Sequence, residues 1–277
     1  MIPAQLSYVR ARSVEETLDL LAEHGDDAKV LAGGHSLLPL MKFRFAAPEV
    51  LVDIAPLDEL RYVREDGDEI VIGALTRYRD LHTDEILRAH APLLAEVAGA
   101  IGDPQVRNRG TIGGSLAHAD PAADLPAATL ASDAVFVVRG PEGERDIAAE
   151  EFFLGPFTTP LEPDELVVEI RVPKQTGLDW AFEKFSRRAI DWAIVGVTAV
   201  GSSIALINMG GSPVRARAAE EALASGASPA EAGALAAEDT SPANEPHASA
   251  EYRKHLARVL TTRALTKIAG EQPVGLR

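Results

Sequence analysis

The sequence predicts an α+β chain: a two-lobed domain over residues 1–175, with lobes 1–55 and 56–175, then a smaller α+β domain over 176–277. Three observations predict it. Residues 1–55 alternate a helix with short apolar strands, the grammar of a small β-α-β lobe. From Leu60 onward the grammar changes to strands set off by glycine-containing turns, one of them, Glu165 to Val172, alternating, which fits a mixed or antiparallel sheet. Beyond a boundary at Pro173 to Gly177, three strands follow one another before the last helices, which fits a three-stranded antiparallel sheet with helices.

Each element has a local reason. Ser13-Val14-Glu15-Glu16 reads as a capping box, with Ser13 at the N-cap and Glu16 three residues on. The helix it opens carries Leu18, Leu20 and Leu21 and stops near Gly25. Lys29 to Ala32 is a short strand that runs directly into a glycine loop. Leu37 to Lys42 begins a short helix, and Val50 to Ile54 is a second buried strand. An Asp66-Gly67 turn precedes the strand Glu69 to Ala74, and Thr76 to Leu81 and Pro92 to Ala98 read as helices. Ala134 to Arg139 is a strand with a Gly140-Pro141-Glu142-Gly143 turn behind it. Glu165 to Val172 alternates as a strand does and ends at Pro173. In the last domain Trp180 to Ser186, Ala193 to Val200 and Ile204 to Asn208 read as strands. Met209-Gly210-Gly211-Ser212-Pro213 is a turn, Ala216 to Ala224 a helix, Ser225 to His247 a short helix plus surface loop, and Tyr252 to Ala269 an amphipathic helix.

The bulk numbers exclude several function classes. The chain has 277 residues, 46% apolar and 25% charged, ordinary for a globular protein with real cores. A formal net charge of −15 argues against nucleic acid and against an anionic membrane surface as partners. There is no cysteine, so disulfides and cysteine-held zinc or iron–sulfur clusters have no ligands in this chain. That composition is compatible with a cytoplasmic location, the expected one. No secretory leader is visible at Met1-Ile2-Pro3, and no apolar run is long enough for a membrane span. The seven histidines are scattered and form no metal-binding pattern.

Two glycine motifs carry the chemistry. The first is Ala32-Gly33-Gly34-His35-Ser36, followed by Leu37; the second is Thr111-Ile112-Gly113-Gly114-Ser115. Glycine lets backbone N–H groups approach a ligand because no Cβ stands in the way. A run of such N–H groups forms a nest for phosphate oxygens, and Ser36, Thr111 and Ser115 add hydroxyl donors. Neither motif is the common dinucleotide or P-loop fingerprint. Either one alone fits a plain turn; the pair suits a pyrophosphate gripped from two sides.

With these motifs the chain resembles the FAD-binding (medium) subunits of molybdenum hydroxylases, of the carbon monoxide dehydrogenase and xanthine dehydrogenase type. The match lies in Ala32 to Pro39, in Arg109 to Ser115, in Pro121-Ala122-Ala123-Asp124-Leu125-Pro126 and in Glu183 to Trp192. It continues in Glu251-Tyr252-Arg253 and Arg263-Ala264-Leu265, so it covers nearly the whole length.

The resemblance implies an oxidoreductase subunit that binds FAD between its lobes and the C-terminal domain. The two glycine motifs would hold the pyrophosphate and ribityl chain, and Ile101 would line the adenine side. Asp124 would accept hydrogen bonds from sugar or ribityl hydroxyls, or else cap the helix ahead of Leu125-Pro126. Lys184 would sit near the flavin ring and offset the charge of its reduced form, or else be a solvated strand lysine. Trp192 stands where the family often has tyrosine and would stack on the ring, or else be a core aromatic. His35 is a clamp residue or a spacer. No catalytic or metal-binding residue is expected. The molybdenum cofactor would belong to a large partner subunit and [2Fe–2S] clusters to a small one, in a dimer of heterotrimers. Electrons would pass from the clusters through FAD to an external acceptor. A stand-alone FAD-dependent oxidase or dehydrogenase and a flavin-less scaffold are the competing readings.

Overall fold

The computed structural model describes residues 2–270, so the end of the expected second domain, 271–277, lies outside the described residues. The first lobe runs β1 (Ser7–Arg10), α1 (Val14–His24), β2 (Ala28–Leu31), α2 (Leu37–Phe43) and β3 (Val50–Asp53). Its strands form a parallel sheet in the order β1-β3-β2. Ser13 accepts the Glu16 N–H at 3.1 Å, one half of the expected capping box; the Glu16 carboxylate accepts from the Arg12 N–H at 2.7 Å rather than from Ser13, so the other half is replaced. α1 buries Val14, Thr17 and Leu21. This small core includes Val52 and Ile54 but also Leu75 and Val168 of the second lobe, so the two lobes share one apolar seam. β1 is an element the sequence reading lacks.

The second lobe carries β4 (Val63–Asp66), β5 (Glu69–Gly73), α3 (Tyr78–Thr83), α4 (Glu85–His90), α5 (Pro92–Ala100), α6 (Pro104–Arg107), α7 (Ile112–His118) and α8 (Asp124–Ala131). It continues with β6 (Val135–Gly140), β7 (Gly143–Ala148), α9 (Ala149–Phe152) and β8 (Leu166–Pro173). Its five-stranded sheet, in the order β4-β5-β8-β6-β7, is antiparallel throughout. Ile70, Ile72, Phe136 and Ile170 of the sheet pack on Leu93, Leu94, Ile112 and Leu116 of the helices. The Phe136 and Phe152 rings meet edge to face at 4.6 Å.

The last domain has β9 (Trp180–Phe185), β10 (Val195–Val200), β11 (Ser203–Ile207), β12 (Val214–Arg215), α10 (Arg217–Ala224), α11 (Pro229–Leu235) and α12 (Ala250–Ile268). Three of its strands are the expected ones; the two-residue β12 joins them at an edge, which makes the sheet four-stranded, in the order β12-β11-β10-β9. Every residue of β10 is buried, because the sheet is covered on both faces. Ala181, Val195 and Leu206 face α11 and α12, whereas Ala205 and Ile207 join the core of the second lobe. α8 is the seam: all of its residues are buried, and the Thr198 hydroxyl of β10 donates to the Ala127 carbonyl at 3.0 Å. A helix enclosed on every side needs no polar face, which is why α8 shows no amphipathic pattern.

Candidate FAD site

The first glycine motif is an open nest. β2 delivers the chain to Ala32, and Gly34 turns it with φ +74°, a left-handed conformation that glycine adopts without strain. The backbone N–H groups of Gly33, Gly34, His35, Ser36 and Leu37 have no protein acceptor among the described residues. Ser36 occupies the N-cap position of α2 but its hydroxyl caps nothing. The exposed His35 ring folds back on the Gly33 carbonyl, Nδ1 to O 3.0 Å, and so braces the turn. Five consecutive donors and a hydroxyl are thus left for a ligand with several anionic oxygens.

The second motif differs from its expected form. It is the first turn of α7, with Thr111 as N-cap. Its N–H groups already have partners: Ile112 donates to Thr76 O at 3.0 Å, Gly113 to Ala74 O at 2.9 Å, Ser115 to Thr111 O at 3.0 Å, and Gly114 to Thr111 Oγ1 at 3.3 Å. Its glycines also have separate reasons. A Cβ on Gly113 would stand 2.6 Å from the Ala74 Cβ, and one on Gly33 would stand 2.3 Å from the Arg109 carbonyl oxygen. Those two let backbone elements pack. A Cβ on Gly114 would meet the Thr111 hydroxyl at 2.8 Å and otherwise only the Ala32 Cβ at 3.8 Å. Gly114 therefore leaves open space facing the first motif.

Both motifs line one cavity of about 450 Å³, closed on other sides by Tyr78, His118 and Leu161. Tyr78 is missing from the sequence reading; its ring lies where a Cβ on Gly110 would be, and burial pushes its hydroxyl up to about 12. It is a neutral donor beside Ser115 at any ordinary pH. Burial lowers the pKa of His118, against the pull of Asp120, and its ring tilts onto Phe157 at 5.1 Å. The motif residues include no Asp, Glu, Lys or Arg, so the polarity of the nest comes from the backbone. The donor set and the space left at Gly114 fit the pyrophosphate of FAD.

The other expected site residues separate. Ala32, Gly33, Gly34, His35, Ser36, Leu37, Thr111, Gly113, Gly114 and Ser115 all line the first cavity. Ile112 does not: it is fully buried in the lobe core. Ile101 packs, partly buried, against that same core and lines neither cavity. Asp124 is not a cap. It is the first residue of α8, with Ala123 at the N-cap position, and is 5% exposed. Its Oδ2 accepts from Lys184 Nζ at 2.7 Å, while its Oδ1 is buried without a partner among the described residues. Burial raises its pKa and Lys184 opposes the rise. Lys184 is thus not a solvated strand lysine: its side chain is 12% exposed and ties β9 to α8 across the two domains. Nor is Trp192 a core aromatic. At 59% exposed, it lines a second cavity of about 490 Å³ with Asp120, Asn208 and Arg253. The Gly210-Gly211 turn stands clear of both cavities.

Comparison with known proteins gives the arrangement its context. Residues 4–175 match the family model described as FAD binding domain in molybdopterin dehydrogenase, and residues 180–268 match CO dehydrogenase flavoprotein C-terminal domain. The chain is 45% identical to the carbon monoxide dehydrogenase medium chain of Hydrogenophaga pseudoflava, over 96% of this chain and 97% of that one. It is 41% identical to the 6-hydroxypseudooxynicotine dehydrogenase complex subunit alpha of Paenarthrobacter nicotinovorans, over 96% and 95%. It superimposes on the carbon monoxide dehydrogenase from Hydrogenophaga pseudoflava which lacks the Mo-pyranopterin moiety of the molybdenum cofactor, with a TM-score of 0.93 and 46% identity, covering 98% of this chain and 99% of that one. The chain belongs to the family of FAD-binding medium subunits of molybdenum hydroxylases, the oxidoreductases of the carbon monoxide dehydrogenase and xanthine dehydrogenase type.

Proposed function

We propose that this chain is the electron-transfer subunit of a molybdenum hydroxylase, taking electrons from [2Fe–2S] clusters of a small partner subunit and passing them through FAD to an external acceptor. The observation that carries the reading is the nest of five free N–H groups, which opens into the same cavity as Gly114 and Ser115. FAD supplies a ring that accepts and releases electrons, chemistry that no side chain of this chain offers. The division of the chain at Pro173 to Gly177 and the roles of individual site residues belong to the same proposal.

In this reading the protein binds and orients. The N–H groups of Gly33 to Leu37 and the Ser36 hydroxyl hold the pyrophosphate. Thr111 keeps α7 seated, and Ser115 adds a hydroxyl from the opposite wall. The Asp124–Lys184 pair fixes the two domains on either side of α8 and keeps a positive group close to the flavin end. Trp192 covers one face of the ring. A large molybdopterin subunit converts the substrate, and two heterotrimers form the whole enzyme, in the cytoplasm.

The sequence match favours a subunit over a stand-alone flavoenzyme, because relatives named medium chain or complex subunit align over nearly their whole length. Co-expression with the adjacent reading frames, affinity purification through this chain and metal analysis test the proposal. A complex containing molybdenum, iron and FAD supports it. A chain that stays alone and reduces its own flavin with an organic substrate contradicts it.

A further inference from the structure

Arg253 sits on α12 at 2% exposure, far from both glycine motifs in sequence. A buried guanidinium is costly unless its donors are matched. Here Nη1 donates to the carbonyls of Ile194, at 2.9 Å, and Asn208, at 3.2 Å, and Nη2 to the Glu245 carboxylate, while Nε is buried without a partner among the described residues. Asn208 continues the network. It adopts φ +61°, its N–H donates to Pro121 O at 2.9 Å, and its Nδ2 donates to Ala193 O at 2.8 Å. Ala193 and Ile194 directly follow Trp192, and Pro121 opens the short loop that ends at Asp124.

The segment from Ser186 to Trp192 needs such an anchor. Arg187, Arg188, Ile190 and Trp192 all point to solvent. Its internal bonds, Ser186 Oγ to Arg188 O at 2.9 Å and the Arg188–Asp191 ion pair at 2.9 Å, fold it on itself, and outside itself Arg187 Nη1 reaches the His247 ring at 3.3 Å, on the surface. Asn208 and Arg253 hold Ala193 and Ile194, the residues that follow the segment, and the Asn208 N–H also holds Pro121 in the loop before Asp124. Trp192, Asn208 and Arg253 line the same cavity.

We propose that Arg253 and Asn208 are positioning residues for the flavin ring: they lock the Trp192 segment against the Pro121–Asp124 loop and so set the indole at one distance from the ring. The proposal rests on the reading that Trp192 faces the flavin. Neither residue touches the nest, so their loss leaves pyrophosphate binding in place and alters only the ring end.

The test uses the full chain with FAD. Trp180→Phe leaves Trp192 as the one indole, since the sequence has two tryptophans. In this background FAD binding is expected to quench Trp192 fluorescence. Asn208→Gly keeps the left-handed turn and deletes the bond to Ala193. Arg253→Met deletes the buried donors, and Arg253→Lys restores one of them. Expected for Asn208→Gly and Arg253→Met is FAD stoichiometry equal to the parent, a loss of more than half of the quench and a shifted visible flavin band, with Arg253→Lys intermediate. Should Arg253→Met fail to fold, Asn208→Gly carries the test by itself. An unchanged quench and flavin band in a folded variant overturns the brace. FAD bound to the parent without any Trp192 response overturns the placement of Trp192, and the brace with it. Loss of FAD itself in folded Asn208→Gly also overturns the proposal, because the network would then serve binding rather than ring position.

Discussion

The two glycine motifs read alike in sequence and differ in kind. At Gly33 to Leu37 the backbone leaves five N–H groups without protein acceptors among the described residues. At Ile112 to Ser115 each N–H is bonded to Thr76, Ala74 or Thr111. The first motif is a donor surface; the second is a wall, seated by its own hydrogen bonds and left bare at Gly114. A Gly-Gly pair therefore says that something passes close by. Whether that something is ligand or protein is decided by what a Cβ would strike.

The largest effect that would break this contrast is at Gly33. Gly33→Val drives a branched side chain into the Arg109 carbonyl, where the two motifs meet. Overpacking of this kind costs about 1–3 kcal/mol or more, and it deforms the nest as well. Thermal unfolding and flavin content should fall together; a stable variant with normal flavin would contradict the packing argument.

Gly114→Val is the sharper test. Its Cβ meets only the Thr111 hydroxyl before the open cavity. Stability should fall by about 1 kcal/mol, the cost of displacing the Thr111 cap. FAD retention should collapse, by tenfold or more in Kd, about 1.4 kcal/mol. Equal losses in both would make the second motif as structural as Gly113, whose valine variant serves as the control against Ala74.

The hydroxyls divide in the same way. Thr111 caps α7, so Thr111→Ala should cost about 1 kcal/mol of stability. Ser36 caps nothing, so Ser36→Ala should leave the unfolding temperature alone and weaken FAD by one hydrogen bond, about 0.5–1.5 kcal/mol. The pair is read by calorimetry and by FAD titration of the same samples; swapped outcomes would reverse the roles of the two motifs.

Much of this was legible beforehand, for physical reasons that vary by element. The Ser13 cap and the alternation of β8 are local signals, and both elements form. β1 and β7 are short strands with mostly exposed residues, so neither showed an apolar stripe. The helical start at Thr111 had a cap residue in plain sight, but two glycines in its first turn lower helix propensity. Only the contact of Gly113 with Ala74, set by the tertiary fold, explains why they are tolerated. Asp124 and Lys184 were each singled out alone. Their pairing joins residues sixty positions apart, which no local pattern encodes, and the Arg253–Asn208 network is invisible for the same reason.

The smallest predicted effect sets the glycine nest against the Asp124–Lys184 pair that joins α8 to β9. Burial raises the Asp124 pKa above its ordinary 3.8. Between 3.8 and that raised value the native state holds more protons than the unfolded chain. The contribution of Asp124 to stability therefore falls as pH rises through that window and stays low above it. Asp124→Asn lacks this dependence. The unfolding temperature of the wild type minus that of the variant should be highest on the acid side and decline with rising pH; a rise with pH would mean that the Lys184 pair outweighs burial.

The central claim is tested most directly by the flavin content of the purified chain. Acid release should yield intact FAD at one per chain, or the protein as isolated should take up added FAD to that ratio and lose the capacity in Gly114→Val. A folded chain that neither contains nor takes up FAD, alone or with its partner subunits present, would contradict the account.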